Sequence, residues 1–458
     1  MNKPTASFSC SNCDAQFTKW TGRCLECGKW GTVEKSKIQI SNFKSNPNVK
    51  NQNEQNYPPI ELTELKNIDG KKIERIKTNI EEFDRVLGGG FVPGSLILLG
   101  GEPGIGKSTL ALQLASIVPN TLYISGEESV EQIKLRAERL GTKSGTLKIG
   151  NATNVESIIA TLSKNNSGPT RNLAIIDSIQ TIFSDEVEGE SGNINQVRAC
   201  AVKLMEFAKT TGTTIVLVGQ VTKDGNVAGP KTLEHLVDAV LYLEGDKFHL
   251  NRILRTAKNR FGSTDEVGVF SMEANGLREV KNPSEMFLAN RGEAVPGTTV
   301  TCLIEGSRPI LVEIQALITK TNFGYPQRRS YGFDLNRLQV LVGVLTKRAG
   351  LPLDTYDIFL NVVGGLEASE PAADLAVILA LASALKNKTI PQNFVSFGEV
   401  GLGGEVRPVS QTEKRLNEIK KMGFEFAAIP FSKNTSKTAG LKIAPVKNVN
   451  ELVEQILK

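Results

Sequence analysis

Gly101-Glu102-Pro103-Gly104-Ile105-Gly106-Lys107-Ser108-Thr109 lies directly after an apolar segment, SLILLG (95–100), and runs into a helix-like one, KSTLALQLASIV (107–118). Its first eight residues match G-x-x-x-x-G-K-[ST] in the strand–loop–helix setting that this pattern requires. Glycines let backbone N–H groups point inward around a polyphosphate, and the start of the helix adds partial positive charge there. Gly101 to Thr109 are therefore the candidate nucleotide-binding residues, with Lys107 on the terminal phosphates and Ser108 on Mg²⁺. ATP and Mg²⁺ are the cofactors this implies.

Outward from this loop, short β-branched or Leu-rich runs alternate with helical patterns. SLILLG, TLYIS (121–125), LAIID (173–177) and TTIVLVG (213–219) are separated by stretches such as SVEQIKLRAERL and QVRACAVKLMEFAK. The alternation predicts an α/β, mostly parallel, doubly wound sheet over 60–283, with these four runs as its buried central strands.

Three of the runs end in polar residues suited to the loop's chemistry. LAIID ends in Asp177, whose carboxylate emerges beside the phosphates to hold Mg²⁺ directly or through one of its ligands. TLYIS is followed by Glu127 and Glu128, one of which is placed to polarise the attacking water. Glu128 is the better suited to the other role, opening the next helix against its dipole. Gln220 follows TTIVLVG like a polar sensor of the γ-phosphate. The loop after it, VTKDGNVAGPKTLEH, carries Lys223, Gly225, Gly229 and Lys231, which suits a grip on a DNA backbone.

At the amino terminus, Cys10, Cys13, Cys24 and Cys27 have the spacing C-x2-C-x10-C-x2-C. Two tight turns present four thiolates, a set that suits structural Zn²⁺. Residues 1–33 read as this zinc module, which is too small to fold without its metal. Trp20, Trp30, Lys19, Arg23 and Lys29 read either as a basic and aromatic surface or as a small core with solvated charges, and DNA, a partner protein and the chain's own ATPase core are all open as what the module touches. Residues 34–59 are rich in Asn, Lys, Gln and Ser and read as a flexible linker. Cys200 and Cys302 stand alone in apolar surroundings as core residues.

The chain has 458 residues, with 54 Lys and Arg against 49 Asp and Glu, a mildly basic balance of +5 that permits nucleic-acid binding without establishing it. The longest apolar run, Leu375 to Leu385, is too short to cross a bilayer, and residues 1–10 hold no apolar stretch of signal-peptide length. A cytoplasmic location without membrane contact is expected.

The loop, Glu127, Asp177 and Gln220 occur in the order of the RecA-type ATPases, which the chain strongly resembles there. Lys258-Asn259-Arg260-Phe261-Gly262 is similar to the KNRFG signature of the RadA (Sms) family of bacterial DNA repair ATPases, and the four-cysteine front and the tail resemble the same family. The resemblance implies a ring-forming hexamer that acts on single-stranded and branched DNA, extends recombination intermediates, and works with a RecA-type recombinase filament. It assigns Lys258 and Arg260 to a neighbouring subunit's ATP or to coupling ATP with DNA.

Residues 284–458 read as a second α/β unit, with strand-like TTVTCLI, ILVEIQALI and TYDIFLNVV, the apolar helix DLAVILALASAL and a final strand FAAIP. This tail resembles the proteolytic domain of Lon in Glu370-Pro371-Ala372-Ala373-Asp374 and in GEVGLGGEVRPV (398–409). Ala372 stands where active Lon has its serine. The lysine position falls on Glu413, with Lys414 as the neighbouring register. Without a hydroxyl at Ala372 there is no nucleophile to activate, so the domain is expected to be a scaffold for ring assembly, with Lys347, Arg348, Arg328 and Arg329 as candidate DNA contacts. A DNA-stimulated ATPase and helicase is the leading functional expectation. An ATP-switched repair scaffold that recruits partners and an ATP-dependent protease are the alternatives.

Overall fold

The computed structural model describes residues 8–13, 15–17, 20–35, 62–67, 74–142, 145–165, 173–220, 230–245, 251–289, 291–321, 324–432 and 440–457. Most of the expected linker lies outside the described residues, as do Lys19, Lys223, Gly225, Gly229 and the side chain of Lys231. The chain divides into two compact units, Met1–Lys71 and Lys72–Lys458.

The first unit holds a small sheet of β1 (Phe8–Cys10), β2 (Gln16–Phe17) and β3 (Val33–Lys35), with β1 central and both neighbours antiparallel to it. Its core is Cys10, Cys24 and Val33 with a few partly buried neighbours. So few apolar groups cannot offset the entropy of ordering the chain, and the metal must supply the difference.

The second unit carries two large sheets. The first is built from β4 (Leu96–Gly101), β5 (Leu122–Ser125), β6 (Lys148–Asn151), β7 (Leu173–Asp177), β8 (Thr214–Val218), β9 (Ala239–Gly245), β10 (Asn251–Asn259), β11 (Val267–Glu273) and β12 (Gly276–Glu279). Their order is β12-β11-β10-β9-β4-β8-β7-β5-β6. All pairings from β9 to β6 are parallel, and β9 to β12 form an antiparallel extension. The four apolar runs are the central strands β4, β5, β7 and β8, and every residue of them is buried.

Two-residue periodicity divides these strands between two cores. Ile97, Leu99, Ile175 and Val216 face α1 (Glu81–Val86), α2 (Lys107–Ile117) and α3 (Val130–Arg139). Leu96, Leu98, Ala174, Ile176 and Leu217 face α4 (Val155–Asn165) and α5 (Ile194–Thr211). The sheet is thus covered on both faces, as its continuous apolar runs demand. A short helix, α6 (Pro230–Leu233), leads into β9.

After α7 (Pro283–Leu288) comes a second sheet of β13 (Thr298–Glu305), β14 (Arg308–Lys320), β15 (Arg328–Tyr331), β16 (Tyr356–Val362) and β17 (Phe394–Ser396). Beyond the small hairpin β18 (Glu399–Val400) and β19 (Val406–Arg407), it is completed by β20 (Phe426–Pro430) and β21 (Lys442–Val446). The order is β15-β16-β14-β13-β17-β20-β21. FAAIP is therefore not the last strand, because KIAPV pairs with it in parallel at the sheet edge. Its proline and lysine make it read poorly as a strand, and both are tolerated at an edge.

Helices α8 (Leu335–Arg348), α9 (Asp374–Lys386) and α11 (Val449–Ile456) share the larger core of this sheet, while α10 (Thr412–Lys421) packs into a second core with Val300 and Phe397. Asp374 to Ser383 of α9 are all buried, as a helix apolar on every side must be. Among the described residues no helix is long and apolar enough to cross a membrane.

Candidate active site

The phosphate loop leaves the carboxyl end of β4 and enters α2, placing the start of an eleven-residue helix at the loop's mouth. Two glycines are fixed by geometry. At Gly101, with φ +154°, a Cβ would lie 2.5 Å from the Leu243 carbonyl oxygen; at Gly106, with φ +115°, it would lie 2.7 Å from Met272 Cε. Lys107 is buried, and its Nζ donates to the Gly101 carbonyl at 3.0 Å and the Glu102 carbonyl at 2.8 Å. Burial pulls its pKa below the usual lysine value, and Asp177 and Glu127 oppose that fall.

A cleft of about 310 Å³ opens over this loop, lined by Pro103, Gly104, Gly106, Lys107, Ser108 and Thr109 together with Glu127, Asp177 and Gln220. Parallel pairing explains the convergence. Strands β4, β8, β7 and β5 run the same way side by side, so residues at or just past their carboxyl ends meet at one edge. Gln220 also accepts, through its backbone oxygen, a hydrogen bond from Gln180 Nε2 at 3.3 Å.

Each carboxylate has a distinct partner. Asp177 is buried and accepts the Tyr123 hydroxyl at Oδ2, 2.6 Å away. Burial, then the charge and hydrogen bond of Asp177, push that phenol well above its ordinary pKa, so it stays a donor. Glu127 accepts the Ser178 hydroxyl at 2.5 Å, and the Ser125 hydroxyl accepts the backbone N–H groups of Glu127 and Glu128. Glu128 is paired with Arg136 of α3, which leaves Glu127 as the carboxylate suited to activate water. Ser108 and Asp177, which both line the cleft, fit a Mg²⁺ with bound phosphate oxygens, the oxygen-rich set this hard cation prefers.

Arg136, Arg139 and Ser178 also line the cleft, and Arg252 of β10 donates from Nε to the Ile105 carbonyl at 3.0 Å, bracing the loop. The three arginines stand in no contiguous motif, and Ser178 carries no signal beyond following Asp177. The doublet of Lys and Arg at the end of β10 was the only signal from that strand.

Lys258 and Arg260 do not reach this cleft. Asn259 and Lys258 pair with Ala239 and Val240, and Ala239 pairs with Ile97, whereas the phosphate loop begins where Gly101 pairs with Leu243. The two ends are separated by roughly 13 Å of strand at about 3.3 Å per residue. A register shift between Thr256 and Lys258 and the strand's end at Asn259 mean that the two side chains do not share a regular strand face, as the spacing alone suggests. They meet instead at the loop before β9: Lys258 Nζ donates to the Glu234 carbonyl at 2.6 Å, and Arg260 pairs with buried Asp238 at 3.3 Å.

In the first unit, the Sγ atoms of Cys10, Cys13, Cys24 and Cys27 all lie within 4.8 Å of one another, with Cys10–Cys27 at 3.7 Å and Cys13–Cys24 at 3.6 Å. Four sulfurs at about 2.3 Å from one Zn²⁺ in a tetrahedron stand roughly 3.8 Å apart, so the set fits. The Asn12 and Cys27 N–H groups donate to Cys10 and Cys24 sulfur at 3.4 and 3.5 Å. Trp20 and Trp30 are 61% and 76% exposed. Arg23 and Lys29 are exposed but bonded within the unit, to Gly28 and Asn12.

In the second sheet, Ala372 is buried in a turn before α9, and both Glu413 and Lys414 of α10 are exposed. The α10 residue that reaches the turn is Arg415, fully buried, with Nη2 2.5 Å from Glu370 Oε1 and Nη1 on the Cys302 carbonyl. Of the basic residues set aside as DNA contacts, Arg328 is engaged with the Tyr356 and Leu353 carbonyls, while Arg329, Lys347 and Arg348 are exposed.

With this geometry in view, residues 76–278 match the family model of the KaiC ATPase, and residues 8–35 match that of the rubredoxin metal-binding domain, a zinc ribbon. The DNA repair protein RadA of Brucella abortus is 47% identical over 435 residues, covering 94% of this chain and 92% of its own. The proteins of the same name from Bacillus subtilis and Pseudomonas aeruginosa are each 43% identical over 463 positions, covering 100% of both chains. A solved KaiC-like protein from Pyrococcus horikoshii is 22% identical, with a TM-score of 0.38 over 46% of this chain and 100% of its own. The nine-stranded sheet is a RecA-like ATPase core of the KaiC type, which takes ATP with Mg²⁺, and the four-cysteine ribbon takes Zn²⁺.

Proposed function

The chain belongs to the RadA family of bacterial DNA repair proteins, and from that membership we propose that it is a DNA-stimulated ATPase and helicase that processes recombination intermediates on single-stranded and branched DNA. The observation that carries the proposal is the convergence of Lys107, Ser108, Glu127, Asp177 and Gln220 on one cleft. Mg²⁺ would be held by Ser108 and Asp177 and would supply charge neutralisation to the phosphates. Lys107 binds the terminal phosphates, Glu127 takes a proton from the attacking water, and Gln220 relays the γ-phosphate's presence into the segment that follows β8.

Lys258 and Arg260 lie at the far end of the strand from their own phosphate loop, which supports a role at the ATP of a neighbouring subunit in a ring, a hexamer in our reading. Their shared anchor on the loop 234–238 gives that role a route back to β9. We divide the chain into a zinc finger (1–33), a linker (34–59), an ATPase domain (60–283) and a Lon protease-like domain (284–458), and place it in the cytoplasm with a RecA-type filament as partner. The last domain is not a protease in this reading. Ala372 offers no nucleophile, and the guanidinium of Arg415, which reaches the same turn at Glu370, offers donors and no acceptor.

The test is strand displacement from forked DNA with ATP. The parent chain should unwind it, Lys107→Ala should not, and Arg260→Ala should keep ATP binding while losing displacement. Displacement that persists in Lys107→Ala would remove the proposal. An ATP-dependent complex with a partner protein and no displacement by the parent would favour the repair scaffold, and ATP-dependent casein degradation would favour the protease.

A further inference from the structure

Two hydroxyls beside the carboxylates have no part in the chemistry above, yet their placement is reciprocal. Tyr123 lies on β5 and its hydroxyl serves Asp177, which ends β7. Ser178 follows β7 and its hydroxyl serves Glu127, which follows β5. We propose that Tyr123 and Ser178 are positioning residues for ATP hydrolysis, each pinning the carboxylate carried by the other's strand so that one oxygen is held and the other is presented to the metal or the water. The inference rests on the roles given above to Asp177 and Glu127.

The two strands are parallel neighbours with Ser125 opposite Asp177, and the Gly126 N–H donates to the Asp177 carbonyl at 2.9 Å, so the cross-links sit where the backbone register is already fixed. Tyr123 is 0% exposed in an otherwise apolar core with Leu110, Leu114 and Ile175. A phenylalanine would fill such a place without the cost of burying a hydroxyl, so the hydroxyl is explained by the bond it makes. Among the described residues, neither Asp177 nor Glu127 has a protein donor on its second carboxylate oxygen. A carboxylate with one oxygen fixed has little rotation left, and this is how outer partners hold metal ligands and bases in place.

The two hydroxyls should leave different marks on turnover. With full-length protein, ATP hydrolysis is followed against Mg²⁺ concentration, and binding of a fluorescent ATP analogue is measured with Mg²⁺ and with EDTA. Tyr123→Phe should raise the half-saturating Mg²⁺ about tenfold, as loss of an outer partner does, while binding in EDTA stays at the parent's value. Ser178→Ala should lower kcat about tenfold, as loss of a hydrogen bond to a charged group does, at an unchanged half-saturating Mg²⁺. A merely structural role would instead raise the half-saturating Mg²⁺, lower kcat and weaken the EDTA binding together in each variant, and that result would overturn the proposal. So would a Tyr123→Phe curve that overlays the parent's while Asp177→Asn is inactive. If Asp177→Asn itself turned over at the parent's rate, the assignment of the cleft would fail first.

Discussion

Lys107 is buried against the carbonyls of its own loop with two carboxylates nearby, and it is the lysine that the loop itself contributes to the cleft. Lys107→Ala should cut ATP turnover by about two orders of magnitude or more, as loss of a preorganised charge donor does. Glu127→Gln should bind ATP as the parent does and lose turnover by roughly 10²- to 10⁴-fold; equilibrium binding and steady-state hydrolysis separate the two. At the turn before α9, Ala372→Ser restores a hydroxyl, and the α10 side chain that reaches this turn is the guanidinium of Arg415 rather than a lysine base. That variant should remain unlabelled by a serine-directed fluorophosphonate and leave casein intact. Most of the nucleotide cleft was legible because its chemistry needs contiguous letters, and the zinc ligands for the same reason. The register of α10 was not: one position along a helix turns a side chain by about 100°, so neither Glu413 nor Lys414 could be distinguished from Arg415 by spacing. Tyr123 and Ser178 were hidden because their partners lie 54 and 51 positions away.

At the scale of elements, alternation of apolar runs with helical patterns is what two-faced burial of a parallel sheet requires, and the four central strands were visible for that reason. The antiparallel extension β9 to β12 was not, since half-exposed strands such as Asn251–Asn259 mix charged and apolar residues and carry a bulge. The zinc ribbon is the element with least core of its own. Removing the metal with a chelator, or replacing Cys24 by Ala, should release one Zn²⁺ per chain and unfold residues 8–35. The chain's two tryptophans, Trp20 and Trp30, both lie in this ribbon, so the polarisation of tryptophan emission should fall on metal loss. Unchanged polarisation in zinc-free protein would show that the ribbon folds without it.

For the molecule as a whole, the two sheets of the second unit are joined where the hairpin between β13 and β14 meets the ATPase core. Arg308 pairs with Glu82 at 2.6 Å, Ser307 donates to Glu266 at 2.8 Å, and Arg255 pairs with Glu305 at 2.8 Å. Glu82 is 1% exposed. Arg308→Met would leave its charge buried without its nearest cation, so stability should fall by about 3 kcal/mol or more, and Glu82→Gln in the same chain should recover part of the loss. Urea unfolding midpoints measure both. The proposed coupling of ATP to DNA belongs to the same scale. Its most direct measurement is the rate of ATP hydrolysis by the full-length chain with and without single-stranded DNA at low salt. A rate raised severalfold by DNA, and abolished with or without it in Lys107→Ala, is the predicted result; equal rates in both conditions, with no DNA bound, would contradict it.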